Sequence, residues 1–259
     1  MLSLDQIENQ YPESLSVFKR SLLREYLQYK ILEIIFESEY ASKLSFLGGT
    51  ALRIVYGNTR FSEDLDFDNF NLNDNEFVEI ANIVKKGLEK QGLEVEIKTV
   101  KKGAYRASVR LPNILFENGL TGQREEKVLI QIDSAAHGFR YIPDKKILNK
   151  FDVFTEIFVT PPDIILSQKI FAAFERKRAK GRDFFDIVFL LSFTKPNYKY
   201  LKEKIGVSNA SELRAMLMKE TRDLDFHALG QDVINFLFNS KDVKKVEIFR
   251  DFIKEAELK

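Results

Sequence analysis

The sequence predicts an α+β module followed by a helical bundle, and two observations carry that prediction. Short strand-like runs, each ended by glycine, asparagine or another turn former, recur at about 43–47, 65–68, 93–100, 104–111 and 126–134, with a further one over 150–159. After Pro161-Pro162 the pattern changes to helical spacing and keeps it to residue 257. The expected organisation is residues 1–160 as the α+β domain and 161–259 as the helical domain, with the boundary near 155–162.

Residues 4–40 read as helical, because Leu15, Phe18, Leu22, Leu23, Tyr26 and Leu27 recur at helical spacing after Tyr11-Pro12. Lys43 to Leu47 is a short strand that runs into a glycine turn. Thr50 to Tyr56 is a short helix ended by Gly57-Asn58, and Asn73 to Gln91 an amphipathic helix closed by Gly92. In the second half, 163–177, 183–193, 198–205, 209–219, 224–238 and 243–257 carry helical periodicity. There is no internal repeat and no low-complexity segment.

Composition bounds the function. The chain has 259 residues, 44% hydrophobic and 31% charged, enough for a real core. No apolar run approaches the roughly 18–20 residues of a membrane span. Met1-Leu2-Ser3-Leu4-Asp5-Gln6 lacks the basic and apolar regions of a signal peptide, and there is no cysteine. A cytoplasmic location with no membrane contact is expected. With a net charge of +1, any contact with nucleic acid must use a local basic patch.

The chemistry concentrates between residues 46 and 68. Gly48-Gly49-Thr50 is a glycine turn opening an apolar helix, where backbone N–H groups and the helix N-terminus can face an anion. Thr50 either caps the helix or contacts a phosphate. Asp64 and Asp66 are spaced for one face of a strand while Leu65 and Phe67 point into the core. Two such acids repel unless a hard divalent cation lies between them. In Lys127 to Ser134, Val128, Ile130 and Ile132 form one face and Gln131 and Asp133 the other, so Asp133 is the expected third carboxylate; Asp68 is its rival. Of Arg53 and Arg60, one is expected in an internal salt bridge and the other near the triphosphate.

Downstream, Lys169, Ala173 and Arg176 share a helical stripe, and Lys169 is a compact cation suited to a phosphate oxygen. Arg176, Lys177, Arg178, Lys180 and Arg182 place five basic residues in seven, either a solvated loop or a grip on an RNA backbone. Asp183 opens the next helix as a cap, an orienter of Arg182 or Lys169, or a catalytic group. His137 and His227 form no pair at metal-ligand spacing.

Taken together, these residues resemble the AbiEii/AbiGii-type nucleotidyltransferase toxins. Gly48 to Leu52 with Arg60 to Phe67 resembles the first motif of that family, and Gln131-Ile132-Asp133 the second. Pro162 through Lys169 to Arg176 resembles the third, and Arg182 to Asp186 the fourth. The resemblance implies a polymerase-beta-like nucleotidyltransferase fold, a mixed sheet with flanking helices and a C-terminal helical bundle. It also implies the toxin half of a bacterial toxin–antitoxin or phage abortive-infection pair, with an antitoxin encoded nearby. Asp64, Asp66, Asp133, Lys169 and Asp183 would then be catalytic, with the metal on Asp64, Asp66 and Asp133. Gly48, Gly49, Thr50, Arg60, Ser62, Lys169 and Arg176 would bind the nucleotide. Gln131 stands where the family's second motif commonly carries lysine.

The expected reaction is transfer of an NMP from an NTP to an acceptor, an RNA and by the resemblance the 3′ end of tRNA. One Mg²⁺ (or Mn²⁺) would sit on Asp64 and Asp66 and a second would be shared with Asp133. The alternatives are transfer to a small molecule, a non-catalytic nucleotide- or partner-binding module, and a metal nuclease, which has no need of a triphosphate turn.

Overall fold

The computed structural model describes residues 1–102, 104–176 and 178–259, which divide into two compact units. The first comprises residues 1–56 and 61–160; the second comprises 161–259 together with the segment 57–60.

In the first unit, α1 (Leu4–Glu8), a 3₁₀ turn (Glu13–Phe18) and α2 (Lys19–Phe36) precede β1 (Leu44–Leu47) and α3 (Gly48–Tyr56). Then come β2 (Leu65–Asn69), α4 (Asp74–Glu89), β3 (Glu96–Lys102), β4 (Ala104–Leu111), α5 (Ile114–Glu117), β5 (Val128–Ala135), β6 (Asp144–Lys150) and β7 (Val153–Val159). The strands form one mixed sheet in the order β3-β4-β5-β2-β1-β7-β6. β1 runs antiparallel to β2, whereas β2 pairs with β5 and β1 with β7 in parallel.

Alternation decides the faces. Phe46, Phe67, Ile130 and Ile132 are buried, and the Phe67 ring packs against those of Phe36 on α2 and Phe46 at 6.1 and 5.6 Å. Asp66 and Asp133 have the opposite parity to Phe67 and Ile132, so they stand on the face away from α2. α4 begins with a complete capping box between Asn73 and Glu76.

The 150–159 region differs from the sequence expectation, because it holds one strand of a hairpin whose partner, β6, has no apolar alternation. Asp144, Lys145, Lys146, Asn149 and Lys150 suit an edge strand, where charged side chains deter pairing with another chain. Phe151 turns the hairpin at φ 60°, costly for an aromatic residue. Its ring packs 5.2 Å from those of both Tyr26 and Tyr29, which offsets that strain.

The second unit contains α6 (Pro162–Glu175), α7 (Gly181–Leu191), α8 (Tyr198–Ile205), α9 (Ala210–Glu220), α10 (Phe226–Val233), α11 (Lys244–Glu247) and α12 (Phe249–Glu255). Pro162 sits in the first turn of α6, where its missing N–H costs nothing. Phe184, Phe226 and Phe249 make an aromatic core with ring centroids 4.9–5.6 Å apart. Gly181 is obligatory: a Cβ there would lie 1.8 Å from the carbonyl oxygen of Leu229. The segment 57–60 joins this unit through the Phe238 N–H, which donates to the Thr59 carbonyl at 3.1 Å, and a bridge between Arg60 and Leu237.

Candidate active site

In the first unit the glycine turn and the carboxylates come together by strand register. Leu47 lies opposite Asp66, so the turn that follows β1 meets the Asp66 side chain. Gly48 has φ +79°, and a Cβ there would lie 2.1 Å from Asp66 Oδ2. Glycine is therefore required twice, for the backbone conformation and for the carboxylate's approach. The side chain of Thr50 is fully buried, and its hydroxyl donates to the carbonyl of Asp64. Of the two sequence readings for this hydroxyl, neither holds: it ties the helix to the carboxylate strand, leaving only backbone N–H groups to face an anion.

The approach to β2 is fastened from α2. Gln28 Nε2 donates to the carbonyls of Ser62 and Glu63, both at 3.0 Å, and Arg24 pairs with Glu63 at 2.6 Å. The contact to Ser62 is thus a carbonyl contact; the backbone that carries Asp64 is held from both sides.

Asp133 lies directly opposite Asp66 in the parallel β2–β5 register. On the other side of β5 its register partner is Arg106 of β4, whose Nε and Nη2 each donate at 2.7 Å to one oxygen of Asp133. Those hydrogen bonds, and then the charges of Asp133, Asp64 and Asp66, hold Arg106 more firmly protonated. Its guanidinium is thus a built-in counter-cation for the acidic group. The expected three-carboxylate cluster is corrected accordingly: among the described residues no three metal-ligating side chains converge on one point, because Arg106 occupies both oxygens of Asp133. The donor set, hard carboxylate oxygens sharing a cation, nevertheless suits a divalent metal.

Asp68, the rival third acid, is turned to another use. It is 1% exposed and accepts the His137 N–H and the Tyr141 hydroxyl, both at 2.9 Å. The Tyr141 hydroxyl lies 2.9 Å from that of Thr160, which lies 2.9 Å from that of Ser45.

The second unit gathers a different set of charges. Arg60 Nε and Nη2 donate to Asp186 at 2.7 and 2.6 Å, with Arg60 2% and Asp186 0% exposed. Lys169 Nζ lies 2.8 Å from Asp186 and 3.2 Å from Asp183. Burial by itself would raise the Asp186 pKa, but Arg60 and Lys169 outweigh it and hold the carboxyl at about 2. Burial likewise works against the Lys169 ammonium, and Asp186 and Asp183 overcome it and raise its pKa. Arg60, expected among the nucleotide contacts, is instead an interior ion-pair residue; Arg53 also pairs internally, with Glu25 at 2.8 Å. Asp183, 1% exposed, lies between Lys169 and the Arg176 guanidinium at 2.8 Å. It orients cations and is too deep to meet a substrate. Arg178 is exposed and Lys180 and Arg182 are half-buried, while Lys177 lies outside the described residues.

Sequence reasoning missed Arg106, Gln28 and Asp186. Arg106 had a signal, a cation on the polar face of a strand, but nothing local assigned it to Asp133.

Comparison with known proteins agrees with this geometry. No protein with a curated description matches the chain. Two crystal structures from Helicobacter pylori share the fold. JHP933 has a TM-score of 0.55 and 18% identity over 90% of this chain and 91% of its own. A candidate nucleotidyltransferase has a TM-score of 0.55 and 20% identity over 90% of this chain and 94% of its own. Residues 30–254 match the family described as nucleotidyl transferase AbiEii toxin, type IV toxin–antitoxin system. This chain belongs to the AbiEii nucleotidyltransferase toxin family.

Proposed function

We propose that this nucleotidyltransferase transfers an NMP from an NTP to an RNA, with the 3′ end of tRNA as acceptor, and that a cognate antitoxin restrains it. The observation that carries this reading is the junction of Gly48, Asp66 and Asp133: an anion-facing turn touches one carboxylate while strand pairing puts a second beside it.

The backbone N–H groups at the start of α3 receive triphosphate oxygens. Asp64 and Asp66, with Asp133 once Arg106 releases it, would hold Mg²⁺ or Mn²⁺, which supplies charge neutralisation and a lower pKa for the attacking hydroxyl. The acceptor oxygen attacks the α-phosphorus, the bond to the bridging oxygen breaks, pyrophosphate leaves, and the hydroxyl proton passes to water or to a carboxylate. Arg106 keeps the acids from repelling one another before substrate arrives. In the second unit, Lys169 and Arg176 are assigned to phosphate oxygens and the exposed Arg178, with Lys180 and Arg182, to the RNA backbone.

The test is incubation of purified protein with labelled NTPs, Mg²⁺ and total tRNA beside an Asp66→Ala variant. Label transfer by the wild type alone supports the reading; equal transfer by both proteins removes Asp66 from the chemistry.

A further inference from the structure

A cavity of about 670 Å³ opens in the first unit where β2 and β5 end, within the roughly 300–1,000 Å³ typical of small-molecule sites. Its walls include Asp68, Phe70, Ser134, Phe139, Arg140 and Tyr141. Three features describe what it would hold. The aromatic walls, with Phe70 and Tyr141 edge to face at 5.5 Å, suit a flat ring. Ser134 is 1% exposed and its hydroxyl has no hydrogen-bond partner, an unmet polar group that a ligand atom would satisfy. Asp68 is bound only by neutral donors, the His137 N–H and the Tyr141 hydroxyl, so its remaining lone pairs favour N–H donors and disfavour a phosphate. Arg140 stands exposed at the wall.

We propose that this cavity is a nucleobase site, taking a planar ring whose N–H edge meets Asp68 and whose polar edge meets Ser134. Asp68 lies two residues beyond Asp66, about 7 Å along the strand, which is the scale of a ribose between a base and its phosphate. The proposal rests on the nucleotidyl-transfer reading for its source of bases, either the incoming NTP or a nucleotide of the acceptor RNA.

The experiment measures binding of the four ribonucleoside 5′-monophosphates and of ribose 5-phosphate to the full chain in EDTA, by ligand-observed NMR. Ala136→Trp fills the cavity, which Ala136 also lines, and Ser134→Ala removes only the unmet hydroxyl. At least one monophosphate should bind better than ribose 5-phosphate. Ala136→Trp should weaken it about tenfold or more, and Ser134→Ala about threefold to tenfold. Equal binding of ribose 5-phosphate and all four monophosphates, or wild-type binding by both variants, overturns the proposal. If Ala136→Trp melts early, Ser134→Ala decides. With Mg²⁺ present, calorimetry on the same variants names the source. Weaker NTP binding points to the incoming nucleotide, weaker binding of a short oligoribonucleotide to the acceptor, and a change in neither again overturns the site. Base binding with no label transfer by the wild type would sink the transfer reading alone.

Discussion

Each unit holds a cluster of acids and cations built from the same residue types, and the two differ in access to water. In the first unit, Arg106 and Asp133 have side chains 53% and 26% exposed; in the second, Arg60 and Asp186 are 2% and 0% exposed. Both pairs are bidentate, so geometry does not distinguish them. An exposed pair contributes little to stability and can exchange a partner for a ligand or metal. A buried pair is locked, since freeing either member leaves a charge in the interior. The comparison separates a chemical site from a structural one where the sequence shows only Asp and Arg in both.

Breaking the buried cluster should have the largest effect. Asp186→Ala leaves Arg60 and Lys169 without their shared carboxylate and should cost about 3–5 kcal/mol, read as a lower urea midpoint. Unchanged stability would show that the cluster is solvated. Asp66→Ala should do the converse, reducing label transfer by about 10²–10³-fold, or about 3–4 kcal/mol, while the melting temperature stays near that of the wild type. A collapse of stability with this variant would merge the two clusters into one structural class.

A titration sharpens the contrast. The Asp186 carboxyl is depressed from 3.8 to about 2 in the folded state. Its contribution is therefore fully present above pH 4 and lost as pH falls toward 2, and amounts to about 2 kcal/mol. Urea midpoints between pH 5 and pH 2 should fall less in Asp186→Asn than in the wild type. The smallest effect is expected at Arg106→Gln, whose exposed pair is worth under about 1 kcal/mol. That variant should bind Mn²⁺ more tightly by calorimetry, because Asp133 no longer has an internal cation; weaker Mn²⁺ binding would make Arg106 a supporter of the metal site and not its competitor.

Local pattern made much of the site legible. The i, i+2 spacing of Asp64 and Asp66 and the alternation through Val128–Asp133 put the three acids on polar strand faces before any pairing was known. The helical elements after Pro162 were equally plain, because caps and periodicity act over a few residues. Where local signals conflict with edge-strand requirements, as in the lysine-rich β6, alternation had nothing to report. Thr50 shows another limit: a threonine after two glycines suits a phosphate as well as a carbonyl, and only the packing of β2 beside α3 decides for the Asp64 carbonyl.

By itself, then, the sequence determined which residue types were available and which face each would occupy, because side-chain direction follows from backbone period. Only the tertiary structure decided partnership. Register set Asp133 between Asp66 and Arg106, close approach made Gly48 obligatory, and burial withdrew Arg60 into the second unit. Those outcomes depend on contacts between residues far apart in the chain and on the local dielectric, and neither is a property of any short stretch of sequence.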